Sequence, residues 1–448
     1  MRGEVVSEIV APARVPASRY TSPRFAAFEA ERVWPRVWQV ACTLDHVREP
    51  GDFYEYRCGR YSVIIVRDQD GVLRAFQNVC LHRGNTICEG GGSGLSELRC
   101  PYHRWAWDLS GALREVPSRK GFGLLDNEQL SLVAVQVDVW GPLVFVNLDT
   151  TARSLREYLE GVPGDSAWAN LDEFRCSFAT VSHVSSNWKV VADGFSETYH
   201  VQGIHPEMLA SIDDVDTEQH VWDHHSVSHQ RYGVASPRLR DRSDQAVWDS
   251  FTVTQGERMG PSFKAHSPAP EPGDGETIRD VIAQRIREHQ ATRGIDLSGY
   301  DTDGLLRLSQ YNLFPNATVL VWGDMVNVLV ARPGATPDDA ELAMYLLYRA
   351  PAGAPWVKPF DVTLPCEASL GVVIDQDLEM LKRFQRGLHQ PGFTHLTLSS
   401  EECRIINMQR VLSSYVGPEA DADSTLISDF DPAISALVFP NAVDFDKM

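Results

Sequence analysis

Two short segments, each holding one cysteine and one histidine, constrain the fold of this chain more than any other feature. The first reads Cys80-Leu81-His82 and the second reads Cys100-Pro101-Tyr102-His103, with residues 83–99 between them. Both fall between Trp38 and about Asn147, where short runs of β-forming residues alternate with turns rich in Gly and Asp. We therefore predict a metal centre held between two loops of a small all-β domain.

The order of these four residues distinguishes between two kinds of metal centre. A Cys₂His₂ zinc finger groups its cysteines and its histidines separately and carries the histidines on a helix. In a Rieske [2Fe–2S] centre two histidines replace two thiolates on one of the irons. The mixed pairs favour the Rieske centre, with zinc as the alternative. The candidate cluster ligands are Cys80, His82, Cys100 and His103.

A second group of candidate ligands follows in the C-terminal part of the chain. The segment Trp188 to Val201 is predicted as a helix that carries Glu197 and His200 on one face. His205 lies five residues after His200, and Pro206 favours an unwound backbone there. Both imidazoles can then reach one ion. Two histidines and one carboxylate form the facial triad of O₂-activating Fe(II) enzymes.

The carboxylate of this triad is expected from a later helix. Residues Asp375 to Leu388 have helical spacing, and Asp377 falls on the same face as the apolar Leu381, Phe384 and Leu388. A carboxylate that points into a core is costly unless a partner compensates its charge. We therefore predict Asp377 as the third ligand, and Asp375 as a cap at the start of the helix.

The two groups together resemble the α subunit of Rieske non-haem iron oxygenases, the ring-hydroxylating family and its demethylating relatives. The resemblance covers about residues 20–415, and its motifs are Asn187-Trp188-Lys189, Tyr199-His200, His205-Pro206, Phe314-Pro315-Asn316 and Gln385-Arg386-Gly387-Leu388. It implies a [2Fe–2S] cluster on the four loop residues and a mononuclear Fe(II) on His200, His205 and Asp377. It also implies that Glu197 carries electrons between subunits, and it places Asn187 among the catalytic residues.

The resemblance also implies an α+β fold. An all-β Rieske domain would accompany a helix-grip catalytic domain, in which a large antiparallel sheet wraps a long helix. We divide the chain into an N-terminal helical segment at 1–35 that packs with the catalytic domain, a Rieske domain at 36–150 and a catalytic domain at 151–448. Within the last, 235–275 is predicted as irregular, 276–292 as a helix and 417–448 as an acidic tail. Val319–Val330 and Glu341–Tyr348 are predicted as paired strands.

The expected function is that of a terminal oxygenase component, which uses O₂ to hydroxylate an aromatic or other apolar substrate. The alternative is a monooxygenase or demethylase of a methylated or quaternary amine, since Glu197 stands where many members carry Asp. The aromatic residues Tyr311, Phe314 and Trp322 suit a cation cage and an apolar pocket equally. From a different class, a Rieske electron-transfer or redox-sensing protein without catalysis stays open.

The electrons must come from another protein, because the sequence shows neither a GxGxxG strand–helix unit nor a plant-type ferredoxin pattern. We expect an NAD(P)H-dependent reductase, with or without a ferredoxin, and a homotrimer that can include β subunits. A candidate docking face, or else an ordinary mixed surface, is formed by Arg83, Arg99, Arg104, Arg114, Arg119 and Lys120.

The net charge of −20 argues against nucleic acid and anionic membranes as partners. With neither a secretory signal nor a long apolar segment in the sequence, we expect a cytoplasmic location.

Overall fold

The computed structural model describes residues 12–263, 266–351, 353–364 and 369–421. Its strands are β1 Ala13–Pro16, β2 Gln39–Thr43, β3 Phe53–Cys58, β4 Tyr61–Arg67, β5 Leu73–Gln77, β6 Gly91–Gly92, β7 Leu98–Arg99, β8 Ala106–Trp107, β9 Leu113–Glu115, β10 Gln136–Trp140, β11 Leu143–Asn147, β12 Phe174–Val184, β13 Glu218–Val221, β14 Ser226–Arg231, β15 Arg307–Leu313, β16 Ala317–Val321, β17 Met325–Pro333, β18 Ala340–Arg349, β19 Val362–Thr363 and β20 His395–Leu398. Its α-helices are α1 Ser18–Thr21, α2 Pro23–Arg32, α3 Leu155–Tyr158, α4 Val162–Asp165, α5 Trp188–Gly194, α6 Val201–Ile204, α7 Asp244–Gln255, α8 Ile278–Thr292, α9 Thr302–Leu306, α10 Val372–Leu388 and α11 Cys403–Val416.

Small sheets build the region that holds the two Cys/His loops. A four-stranded sheet has the order β5-β4-β3-β6, and a three-stranded sheet has the order β7-β8-β9. Their apolar side chains, among them Ile64, Phe76 and Trp107, form a core that also contains Cys80 and Cys100. The loops are therefore anchored by their cysteines in a rigid β scaffold, as the spacing of short strands predicts.

A second, larger sheet dominates the C-terminal part of the chain. Its order is β13-β14-β15-β16-β17-β18-β12-β19, and all neighbours are antiparallel except β12 and β19. The helices α5 and α10 cover one face, where Val190, Val191 and Leu381 share a core with Leu342 and Met344. The predicted α+β architecture, with a small β domain beside a large antiparallel sheet and long helices, is confirmed.

One predicted strand of this sheet was wrong. The segment Val319 to Val330 is not continuous, because the chain reverses between β16 and β17. The turn is closed by a hydrogen bond from Trp322 N–H to the Met325 carbonyl, at 2.9 Å. Gly323 occupies it because a Cβ atom there would lie 2.7 Å from the Gly304 carbonyl oxygen. The second predicted pairing, of β17 with β18 across the Pro333–Asp339 loop, is confirmed.

The segment that carries the iron-ligand candidates also differs from the prediction. The predicted helix from Trp188 to Val201 ends already at Gly194, and α6 begins at Val201. The carbonyl of Phe195 accepts hydrogen bonds from the side-chain amides of Gln310, at 2.5 Å, and Asn312, at 2.9 Å. These two donors on β15 occupy the acceptor that a continuing helix would use, so the chain is free to turn.

The segment 235–275 is less irregular than predicted. It contains the helix α7, whose first turn is capped by the Ser243 side chain. Val247, Trp248 and Phe251 recur at helical spacing and pack against α8. The Pro, Ser and Gly residues that suggested an irregular excursion lie on either side of this helix. The predicted helix at 276–292 is present as α8.

The N-terminal helix α2 and residues next to it pack on α5. The Trp34 and Trp188 rings meet edge to face with their centroids 5.0 Å apart. The Lys189 ammonium forms a buried ion pair with Glu29, at 2.6 Å. Residues 1–11 of the N-terminal segment and 422–448 of the acidic tail lie outside the described residues. None of the helices within the described ranges has the length and apolarity needed to cross a membrane.

Candidate metal centres

The two Cys/His loops have the same backbone geometry. The Cys80 N–H donates to the Asn85 carbonyl at 2.8 Å, and its carbonyl accepts from Gly84. In the second loop the Cys100 N–H donates to the Trp105 carbonyl at 2.9 Å, and its carbonyl accepts from Arg104. Gly84 and Arg104 hold equivalent positions with φ of 81° and 67°, in the left-handed region. The loops are thus a matched pair of turns that face one another.

The side chains of these loops fit a metal cluster. The His82 and His103 ring centroids lie 4.6 Å apart, and Trp105 stacks on His82 at 5.2 Å. The Nδ1 atom of His82 is buried without a hydrogen-bond partner. Burial raises the pKa of the Cys80 thiol, so the thiolate is disfavoured there unless a cation such as a metal ion binds it. Two imidazoles, one with an orphaned nitrogen, beside two buried thiols are the donor set of a Rieske centre.

The second site brings together His200, His205 and Asp377. Their ligand atoms all lie within 4.8 Å of one another. The Nε2 atom of His205 lies 3.0 Å from Asp377 Oδ1, and that of His200 lies 3.8 Å from the same oxygen. Across the described ranges, this is the one group of three His, Cys, Asp or Glu side chains found at such spacing. Two imidazoles and a carboxylate that can reach the same metal ion fit the facial triad.

Hydrogen bonds fix the orientation of both imidazoles. His200 Nδ1 lies 2.5 Å from Glu197 Oε1, and His205 Nδ1 lies 2.7 Å from Gln376 Oε1. Each Nδ1–H therefore donates outward, and each Nε2 is left to face Asp377. This arrangement is common around metal-bound histidines. Burial lowers the pKa of His205, but the hydrogen bond and charge of Asp377 outweigh it and raise the pKa overall.

The local backbone explains how two histidines five residues apart converge. His200 precedes the single turn of α6, and His205 ends it with φ −123° and ψ 53°. Asp377 is buried on α10 together with Leu381 and Leu388. Phe384, which was predicted on this face, is 46% exposed. It therefore lies at the edge of the buried stripe rather than within it.

Asp375 and Gln376 flank the site on the first turns of α10. The prediction that Asp375 caps this helix was wrong, because the helix begins three residues earlier, at Val372, after Gly371. Asp375 accepts from the Leu370 N–H at 2.8 Å, so it fixes the segment that leads into the helix. Gln376, which sequence analysis missed, holds His205. Its position next to Asp377 is the only signal that the sequence offers for that role.

Asn187 is placed as a helix cap. Its side-chain oxygen accepts from the Lys189 N–H at 3.0 Å, and its amide donates to the Pro337 carbonyl at 2.7 Å. Its backbone N–H donates to the Gln385 side chain at 3.0 Å. These contacts hold the start of α5 against α10 and the β17–β18 loop. These are the contacts of a helix cap, and the catalytic role expected for Asn187 stays a prediction.

The aromatic residues that suggested a cation cage are not gathered into one. Tyr311 donates its hydroxyl to Asp165 at 2.7 Å, on the side of β15 opposite Gln310 and Asn312. Phe314 stacks on Tyr415 with a centroid distance of 5.5 Å. Trp322 belongs to a different core and has the Arg258 guanidinium over its ring at 5.5 Å. Each aromatic ring thus has its own protein partners.

Most of the basic residues near the cluster loops have carboxylate or amide partners. Arg99 pairs with Glu97 and Glu115, Arg114 with Asp108, and Arg119 bonds Asn127. Arg83 lies over the Tyr102 ring at 5.1 Å. Arg104 and Lys120 are exposed, and no carboxylate of the described chain pairs with Arg83, Arg104 or Lys120. The candidate docking face therefore shrinks to these three cations.

Comparison with known proteins gives matches to two family models. The model described as ring hydroxylating alpha subunit (catalytic domain) matches residues 171–417, and the Rieske [2Fe-2S] domain model matches residues 37–135. The first covers more than half of the chain, and the second contains both Cys/His loops. The two matches agree with the division of metal ligands between a small and a large sheet.

Curated relatives match over part of their length. The chain is 33% identical to choline monooxygenase of Spinacia oleracea over 214 residues, which cover 45% of this chain and 48% of the relative. It is 29% identical to the carnitine monooxygenase oxygenase subunit of Escherichia coli K12 over 225 residues, 50% and 59% of the two chains. Glycine betaine monooxygenase of Pseudomonas aeruginosa is 26% identical over 45% and 47%. The chain thus spans about half the length of the curated relatives it matches.

Solved structures show the same fold over most of the chain. The quaternary ammonium Rieske monooxygenase CntA in complex with L-carnitine has a TM-score of 0.65 at 17% identity and covers 93% of this chain and 99% of its own. Naphthalene 1,2-dioxygenase from Rhodococcus sp. has a TM-score of 0.60 at 19% identity, with coverage of 89% and 94%. The chain belongs to the Rieske non-haem iron oxygenases, as an α subunit with a [2Fe–2S] domain and a catalytic domain for mononuclear iron.

Proposed function

We propose that this protein is a Rieske monooxygenase that inserts one oxygen atom of O₂ into a small quaternary or methylated amine. The observation that carries the proposal is the shared chemistry of its relatives. Choline, carnitine and glycine betaine, which name them, all contain a trimethylammonium group. This favours the amine alternative over the aromatic or apolar substrate that the sequence first suggested. The likeness to naphthalene dioxygenase concerns the fold alone.

Glu197 supports the same branch. By the resemblance, Glu at this position occurs in the branch that acts on quaternary ammonium compounds and also in less characterised members. Its carboxylate accepts a hydrogen bond from the candidate ligand His200. In the proposed assembly, a homotrimer, the cluster of one subunit lies against Glu197 of the next. Glu197 then connects the two centres through His200.

A cavity beside the iron-ligand helix supports a small substrate. It has a volume of about 250 Å³, and Ile374 on its wall lies one turn before Asp377. The other walls are mainly apolar, with one amide and one hydroxyl, and consist of Phe178, Asn327, Met344, Leu346, Ser369 and Leu370. We propose that the substrate approaches the site along this side of α10.

In the proposed mechanism the metal groups, when bound, would supply stored electrons and O₂ activation. The chain's residues hold these groups and orient them. Cys80, Cys100, His82 and His103 hold the cluster, and His200, His205 and Asp377 hold the iron. Glu197 and Gln376 fix the imidazoles through their Nδ1 atoms. The overall reaction consumes two electrons and two protons, so that one oxygen atom enters the substrate and the other leaves as water.

A matched pair of compounds tests the proposal. Choline and 3,3-dimethylbutan-1-ol have nearly the same shape, but only choline has a positive charge. We expect O₂ consumption and product formation, with an NAD(P)H-dependent reductase as electron source, for at least one trimethylammonium compound among choline, carnitine and glycine betaine. The neutral analogue of choline should give neither. Naphthalene and benzoate serve as controls for the aromatic reading.

Turnover of an arene without turnover of any amine would overturn the proposal and restore the aromatic reading. Equal turnover of choline and its neutral analogue would show that the positive charge plays no part in recognition. The cytoplasmic location stays a prediction, since the relative from Spinacia oleracea is chloroplastic.

A further inference from the structure

Arg404, on the first turn of α11, is a buried cation that the metal sites do not account for. Its exposed fraction is 2%. Along the described residues no carboxylate lies within ion-pairing distance of its guanidinium. A buried charge without an ionic partner is costly and is kept only where something compensates it. Burial lowers the pKa of Arg404 to about 10.

The hydrogen bonds of Arg404 lead to the turn that carries Glu197. Its Nη1 donates to Asn312 Oδ1 at 2.7 Å, and its Nε donates to Gln219 Oε1 at 3.1 Å. The amide of Asn312 in turn donates to the Phe195 carbonyl at 2.9 Å. Arg404 therefore fixes the orientation of the Asn312 amide, because only its oxygen can face the guanidinium.

The Phe195 carbonyl is the point where α5 stops. It accepts from Gln310 as well as from Asn312, and Ser196 and Glu197 follow directly. If the Asn312 amide rotated, its oxygen would face the carbonyl and repel it. The chain Arg404–Asn312–Phe195 is therefore a clamp between α11, β15 and the turn that presents Glu197 and His200.

Arg404 also contributes a positive charge to the acidic surroundings of Glu197. Burial raises the pKa values of Asp193 and Glu402, and the negative charge of Glu197 raises both further. Glu197 thus shares its surroundings with two other carboxyl groups. The same charge acts on Arg404 in the direction that favours the protonated guanidinium. Arg404 also lines a cavity of about 20 Å³ with Ser196 and Asn312, enough for one water molecule.

We infer that Arg404 is a positioning residue for electron transfer: through Asn312 it holds the 195–200 turn so that Glu197 keeps the geometry that links the cluster to the iron. The inference rests on the proposed bridging role of Glu197. It assigns Arg404 no contact with substrate, iron or cluster. Loss of Arg404 should therefore slow the passage of electrons without releasing either metal.

The test compares Arg404→Gln, Asn312→Ala and their double variant with Arg410→Gln, a matched control on the same helix. Arg410 bonds Asn407 and the Asp223 carbonyl, outside the clamp. Three quantities are measured: the iron and cluster content, the electron paramagnetic resonance spectrum of Fe(II) with nitric oxide, and the reoxidation rate of the reduced cluster. Reoxidation is started with O₂ and whichever compound of the amine and arene panel supports turnover.

We expect Arg404→Gln to keep both metals and to slow cluster reoxidation about tenfold or more, since small displacements of reacting groups have effects of this size. The nitric oxide spectrum should change, because His200 moves with the turn. Asn312→Ala should slow cluster reoxidation to a similar extent, and the double variant should be no slower than either single variant. Arg410→Gln should reoxidise at the wild-type rate. Arg404→Lys, which keeps the charge but not both hydrogen bonds, should give an intermediate rate and replaces Arg404→Gln if that variant does not fold.

A wild-type reoxidation rate and spectrum in Arg404→Gln would overturn the inference, and so would loss of iron, which would make Arg404 a support of the ligands themselves. Glu197→Gln distinguishes a failure of the proposed electron bridge from a failure of the inference about Arg404. If Glu197→Gln transfers electrons normally, the bridge itself is wrong. If Glu197→Gln is slow and Arg404→Gln is normal, only the role of Arg404 is wrong.

Discussion

At the scale of single residues, the hydrogen bonds around a histidine decide its protonation state. His225 is fully buried. Its Nδ1 accepts from the Phe314 N–H at 3.0 Å, so its Nε2–H donates to the Tyr158 carbonyl at 2.8 Å. Both ring nitrogens are thus used by the neutral form. Burial lowers the pKa of His225 to about 4, although the charge of Glu160 opposes the shift.

This environment predicts a pH dependence of stability. A folded-state pKa below the unfolded value of about 6.5 means that the stabilisation by neutral His225 is present above that pH and is lost as pH falls towards about 4. His225→Asn should flatten the fall of the unfolding free energy over this range by up to about 3 kcal/mol. His183→Asn, at a side chain that is 64% exposed, is the control. Denaturant titrations at several pH values measure the unfolding free energy. The prediction is contradicted if this free energy falls with pH as steeply in His225→Asn as in the wild type.

At the scale of secondary-structure elements, a buried ion pair joins α2 to α5. Glu29 and Lys189 are 3% and 0% exposed, and Glu29 also accepts from the Trp188 indole at 3.2 Å. Burial raises the pKa of Glu29 and lowers that of Lys189, while the partner's charge opposes each shift. Because both charges are desolvated, the removal of one leaves the other unpaired in the core.

Lys189→Met should therefore lower the unfolding free energy by about 3–5 kcal/mol. The double variant Glu29→Leu/Lys189→Met should recover much of this loss, since no unpaired charge is left. Glu379→Gln breaks an exposed ion pair with Arg383 on α10 and should cost at most about 1 kcal/mol. Urea denaturation measures all three. A double variant less stable than Lys189→Met would show that the pair is not the cause.

An element could be predicted when the residues that determine it lie within its own segment. The helices α8 and α10 and the β17–β18 hairpin follow from periodicity and turn residues within each segment. The early end of α5 does not, because the donors that occupy the Phe195 carbonyl come from β15, more than a hundred positions away. The helix α7 was missed because Pro and Ser residues surround a short apolar stripe.

The residues of the candidate site divide in the same way, into those with local determinants and those whose role depends on contacts between distant segments. The cluster ligands and the two iron-site histidines were proposed from spacing within short segments. Gln376 and Arg404 act through contacts with His205 and Asn312, which only the folded chain reveals. Polar residues of this kind have many possible partners, so their type and position in the sequence do not indicate which one they find.

At the scale of the whole molecule, three cations surround the exposed edge of the cluster loops in a chain with a net charge of −20. Arg83, Arg104 and Lys120 lie beside the exposed side chains of Tyr102, Phe122 and Leu124 along the chain. Local positive charge on an acidic protein steers an acidic partner to that place. We propose that the part of this edge left uncovered by the neighbouring subunit in the proposed trimer is the docking site for an acidic electron donor.

Arg104→Glu/Lys120→Glu should raise the donor's KM for cluster reduction and weaken its dependence on ionic strength, because the charges that steer association are reversed. Stopped-flow reduction by an acidic ferredoxin at several salt concentrations measures both effects. Arg114→Glu, whose guanidinium already pairs with Asp108, should change them less. A wild-type KM and a wild-type dependence on salt in the double variant would rule out this docking site.

The most direct test of the account is a single turnover of reduced protein with ¹⁸O₂ and the trimethylammonium compound that supports turnover. Mass spectrometry of the products counts the labelled atoms. We predict that one ¹⁸O atom enters the product derived from the amine and that the second appears in water, with the cluster oxidised in the same turnover. Two labelled atoms in one product, or a labelled arene diol with the amine unchanged, would contradict it.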